Sequence, residues 1–148
     1  MAIWQYKLFA IPEEELKSYF NDIGNISIEA FDNIEWWKYR TCKSVDFNSF
    51  KELPIQESWS KDIKQLGDID SDCVETIVQE EKIIEIANRI DLRKNYKLMV
   101  EYICEFGKHN HLCFLNVEFK VLFSTPEAIC KDIRDYKVFE EFKKKLDG

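Results

Sequence analysis

The stretch from Cys73 to Phe106 constrains the fold more than any other part of the chain. Cys73 to Val78 has the composition of a β-strand, and the charged run Gln79-Glu80-Glu81-Lys82 predicts a turn that sends the chain back. In the return segment, Ile84, Ile86, Ile90 and Leu92 alternate with Glu85, Arg89 and Asp91. Ile83, Ile86, Ala87 and Ile90 fit a helix equally well. Leu92 fits only the alternating pattern and a charged turn precedes the segment, so a strand over 83–92 is preferred. The clearest helix follows, from Lys94 to Phe106. Tyr96, Met99, Val100, Ile103 and Phe106 form its apolar stripe, and Gly107 stands at the stop position.

The flanking segments extend this pattern. Ile3 to Ile11 reads as a strand with one buried face, and Pro12 then opens a helix whose first turn carries Glu13, Glu14 and Glu15. Leu16, Tyr19, Phe20 and Ile23 give that helix its apolar face, with Gly24 as its stop. Ile26, Ile28 and Ala30 alternate as a short strand. Glu35 to Cys42 suggests a second strand, joined to the first through Asp32-Asn33. Phe47, Phe50 and Leu53 suggest a short helix ended by Pro54. Trp59, Ile63 and Leu66 suggest another, closed by Gly67.

Leu112 to Leu115 and Val117 to Phe123 read as two strands or one long bent one. Ser124 with Glu127 has capping-box spacing, and Ile129, Ile133, Tyr136, Phe139, Phe142 and Leu146 carry helical spacing onward. The total is five or six half-buried strands and roughly four helices. Such alternation suits an antiparallel sheet with a single layer of helices packed on it, an α+β fold. At 148 residues, without an internal repeat or a Gly/Ser/Pro linker, positions 1–148 read as one domain.

Charge and composition exclude several functions. The net charge is −7, and only four of the 21 basic residues are Arg, which disfavours nucleic acid and anionic membrane surfaces as partners. No segment approaches the roughly 20 apolar residues of a membrane span. The first 16 residues lack a basic n-region and meet three Glu early, unlike a signal peptide. Five cysteines, an odd number without a C-x-x-C pair, read as free thiols in a reducing cytosol.

The search for chemistry returns few groups. His109, His111 and Cys113 share one face if their segment is a strand, as three metal ligands would. A structural zinc needs a fourth ligand, and Cys104 supplies one only if the helix end folds back. The plain alternative is a polar turn followed by a buried Cys. Asp68-Ile69-Asp70-Ser71-Asp72 begins like a calcium loop, but Cys73 occupies the required Gly position and Gln79 the required Glu position. It reads as a solvated acidic loop. There is no G-x-S-x-G elbow, P-loop or G-x-G-x-x-G, and no cofactor is expected. Tandem Trp36-Trp37 on a strand sends the two rings to opposite faces, so one is either exposed as an interface anchor or covers a core edge.

The order of elements resembles a known group. IWQYKLFAIPEEEL is an aromatic strand running straight into a Pro-started helix. IIEIANRIDLR, an apolar helix and two short strands follow, and the chain closes on STPEAICKDIRDYKVFEEF. This succession is similar to small bacterial immunity proteins encoded beside polymorphic or contact-dependent growth inhibition toxins. It spans most of the chain and rests on pattern rather than a signature motif. The resemblance implies a cytoplasmic α+β protein, not an enzyme, whose partner is the C-terminal domain of a cognate toxin. An acidic face suits a basic nuclease toxin. The expected contacts are Asp70, Asp72, Glu75, Glu80 and Glu81 near the hairpin, with Trp37 or Trp59 as anchor. A metal-binding protein or enzyme using His109, His111 and Cys113 is the alternative.

Overall fold

The computed structural model describes residues 2–20, 24–56, 61–136, 141, 144 and 145. Among these it has seven strands: β1 (Gln5–Pro12), β2 (Ile55–Gln56), β3 (Ile63–Gly67), β4 (Cys73–Gln79), β5 (Lys82–Asp91), β6 (Leu112–Leu115) and β7 (Val121–Leu122). Four α-helices accompany them: α1 (Glu13–Tyr19), α2 (Ile28–Asn33), α3 (Lys97–His109) and α4 (Pro126–Asp135). The strands form one antiparallel sheet in the order β2-β3-β4-β5-β1-β6-β7. The fold is α+β, with one strand more than the upper expectation.

The 73–92 segment is the hairpin that its alternation predicts, and β5 is a strand throughout. Glu80 and Glu81 form its tip, both with positive φ (51° and 66°), as a two-residue turn matching the strand twist requires. The strand β1 sits centrally between β5 and β6, which separates its two faces. Tyr6, Leu8 and Ala10 face one side, where the Tyr6 hydroxyl donates to Asp132 of α4 at 2.5 Å. Phe106 and Ile103 of α3 and Phe114 of β6 complete this core, all fully buried. Burying side chains of this size contributes about 1.5–3 kcal/mol each. Phe47 precedes and Phe50 ends a 3-10 turn (Asn48–Phe50), and their rings meet Phe106 at 5.2 Å stacked and 4.9 Å tilted.

The helices are not confined to one layer. Phe9 points to the opposite face from Tyr6, and there it meets Phe31 of α2 at 4.9 Å. Thus α2 covers part of the second face. Residues 26–30 were expected as a strand, but the Ser27 hydroxyl accepts from the Ala30 amide at 3.1 Å and starts α2 instead. Residues 36–39 form turns, with Arg40 amide bonded to Trp37 carbonyl at 3.0 Å, and Thr41 makes only an isolated bridge to Lys82, so the second expected strand is absent there.

Ile63 to Gly67 is a strand rather than a helix end. Gly67 has φ 82°, and an added Cβ would lie 2.2 Å from the Asp72 carbonyl oxygen. Gly107 does not stop α3, which continues to His109. It is small because Ser124 Oγ and Phe114 pack directly on it. The cap of α4 is Thr125, accepting from Ala128 amide at 3.3 Å, with Pro126 at the first turn. Ser124 instead donates to Leu112 carbonyl at 2.9 Å. Only Val121–Leu122 of the expected 117–123 strand joins the sheet. Trp59, and the continuation through Phe139, Phe142 and Leu146, lie outside the described residues.

Candidate functional site

The strand β4 holds the expected contact residues apart. Asp70 and Asp72 lie at the end where it begins, Glu80 and Glu81 beyond the end where it finishes. Seven strand residues separate them, a span of about 23 Å at strand rise.

The loop before β4 is knitted into the protein. Asp68 Oδ1 accepts from Asp70 amide at 2.9 Å, and the Asp70 carbonyl accepts from Trp4 Nε1 and Arg93, each at 2.9 Å. Gln5 donates to the Ile69 and Ser71 carbonyls at 2.8 Å. Asp72 accepts from Asp91 amide at 2.8 Å and pairs with Lys94 at 2.9 Å. Asp91 is itself buried; burial pushes its carboxyl up, but Arg93 and Ser71 hydrogen bonds outweigh this and hold it below the usual range. The acids Asp68 and Asp72 therefore hold the loop together, whereas the carboxylate of Asp70 is exposed.

Two further expected contacts are buried. Glu75 lies on the second face of the sheet and pairs with Arg89 at 2.8 Å. Trp36 and Trp37 are both buried, at 6% and 3% exposure, so Trp37 is not an exposed anchor. Because this segment turns rather than extends, strand alternation does not separate the two rings. Trp36 Nε1 donates to Phe31 carbonyl at 3.1 Å, and the Arg40 guanidinium lies 5.9 Å from the Trp37 ring centre.

The three metal-ligand candidates are scattered by the fold. His109 ends α3 and pairs with Asp46 at 3.0 Å. His111 occupies a left-handed turn (φ 54°), and its carbonyl accepts from Glu13 amide at 3.0 Å. Cys113 is buried on β6, its thiol pushed up to about 12 chiefly by burial. A common strand face never forms because the segment bends at 110–111. No group of three or more metal-ligating side chains is assembled among the described residues. Beside His109, Ser49 and Asp46 line a shallow cleft of about 480 Å³. Ser49 Oγ is buried and makes no hydrogen bond there, while His109 and Asp46 are mostly exposed. A nucleophilic triad needs the hydroxyl bonded to the imidazole, and this one is not.

A second concavity, of about 460 Å³, lies between α2, the tryptophan turn and β5. Its apolar walls include Phe9, Phe31, Trp36, Ile77 and Ile84. Phe119 packs at a tilt on Phe31, ring centres 4.9 Å apart, and supports the aromatic wall. Ile84 owes its position to a register irregularity. Ile77 pairs with Glu85 and Val78 with Ile83, which leaves Ile84 between them, 52% exposed. Asp32, Glu35 and Glu85 stand on the rim, with Lys38 and Lys82. The Lys38 ammonium is engaged by the Tyr19 hydroxyl at 3.0 Å. The Glu85 carboxyl is raised first by burial, then by Glu75 and Asp32, against the opposing pull of Lys7 and Arg89. Of the expected partner contacts among the described residues, only Trp37 lines this groove, and there it is buried; Ile84 and Glu85 were legible only as alternating positions of a strand.

No family model matches the sequence. Comparison with curated proteins and with solved structures finds no match to this chain. Among the described residues, no helix is long and apolar enough to cross a membrane.

Proposed function

We propose that this chain is a cytoplasmic immunity protein that binds the C-terminal domain of a cognate bacterial toxin and blocks it by protein–protein contact. The observation that carries this reading is the β4–β5 tip. Two consecutive glutamates occupy left-handed backbone there, exposed to solvent. Such a turn prefers Asn-Gly, and left-handed backbone costs a β-carbon-bearing residue on the order of 1 kcal/mol. Strain retained at an exposed acidic position favours a role in binding over one in folding. An acidic projection speeds encounter with a basic partner, and a net charge of −7 acts in the same direction. The sequence resemblance points to the same class of partner.

The test is kinetic. Glu80→Lys with Glu81→Lys should slow association with the toxin domain by about tenfold at low salt and flatten its salt dependence. An unchanged rate and salt slope would place the tip outside the interface and remove this support.

A further inference from the structure

We infer that the toxin docks in the groove between α2 and β5, through a loop that presents an apolar side chain next to a Lys or Arg. This inference rests on the reading above and specifies the surface.

The groove joins the two components that an interface core requires. Its floor is apolar and partly exposed, Ile84 included. A pocket of this kind accepts an anchoring side chain. Its rim is acidic: Asp32, Glu35 and Glu85 border it, and Glu80 and Glu81 continue the rim along β5 to the hairpin tip. Five carboxylates thus outnumber Lys38, Lys82 and Lys7, the last with its ammonium 4.7 Å from the Phe9 ring centre.

Several buried or half-buried acids elsewhere already have cations. Glu75 has Arg89, Asp72 has Lys94, and Asp91 has Arg93. Asp32, Glu35 and Glu85 form no ion pair among the described residues. All three line the same groove, where Glu85 meets attraction from Lys7 and Arg89 and repulsion from Glu75 and Asp32. A cation at this rim meets carboxylates that hold no ion pair of their own, so the complementary partner brings a basic group at this point. The opposite acidic end lacks this character, because Asp68 and Asp72 are consumed by internal hydrogen bonds.

The experiment measures affinity of the full chain for the purified C-terminal domain of the protein encoded beside this gene. Three variants accompany the unaltered chain: Asp32→Lys with Glu35→Lys at the groove, Ile84→Ser on its floor, and Glu101→Lys with Glu105→Lys on α3. The last makes the same charge change on the other face. All altered side chains are exposed, and thermal melts verify folding. The groove pair and Ile84→Ser should each weaken binding about tenfold or more, the α3 pair by less than about threefold. If the unaltered chain binds and the groove variants match it, the groove is refuted while the toxin-binding reading stands. Equal losses in both charge pairs, with Ile84→Ser silent, also refute the groove. If the unaltered chain does not bind, both proposals fall.

Discussion

Glu85 shows how a single side chain connects stability to binding. Burial, with Glu75 and Asp32 nearby, raises its carboxyl above the ordinary value. A carboxyl raised in the folded state opposes folding when ionised, so its cost is fully present above the folded value. The cost fades as pH falls through the folded value and is gone below the unfolded one. Glu85→Gln should therefore raise the denaturant midpoint at pH 7, and this gain should shrink to nothing near pH 4. A gain that does not change with pH would mean that the substitution acts through packing. The same replacement removes one of the acids assigned to the partner, so greater stability and weaker toxin binding should appear together.

At the scale of elements, the β4–β5 hairpin carries its own prediction. Replacing Glu80→Asn and Glu81→Gly relieves two left-handed positions and should stabilise the protein by about 1 kcal/mol in urea unfolding. No gain would mean that the tip is unstrained. This hairpin, α3 and β1 were legible in the sequence because each has a long apolar period and a clear turn or cap. The elements around the groove were not. Ile26, Ile28 and Ala30 alternate like a strand, yet the hydroxyl of Ser27 decides for helix over only six residues. The tryptophan turn has no period at all. Gly107 reads as a helix stop, whereas its small size is needed where α3 meets Ser124 and Phe114. The exposure of Ile84 depends on a register irregularity between strands, which no single-strand pattern contains. The groove is not legible in the sequence because tertiary contacts set short elements, α2 and the tryptophan turn, against the long strands.

At the scale of the molecule, the sheet has two unlike faces. One is closed by α3 and α4 over Tyr6, Leu8, Ile86 and Phe114. The other is covered by α2 near Phe9 and also carries the Glu75–Arg89 pair and Glu85. The closed face supplies stability, while the half-covered face retains the unpaired acids and apolar walls that a partner needs. A chain carrying −7 overall would be steered toward a basic partner over distances near the Debye length.

The most direct measurement is growth rescue in a bacterium that expresses the C-terminal domain encoded beside this gene. With that domain arresting growth, co-expression of this chain should restore growth, while a chain of similar size and charge should not. Arrest that persists while this chain accumulates in folded form would contradict its assignment as the immunity protein.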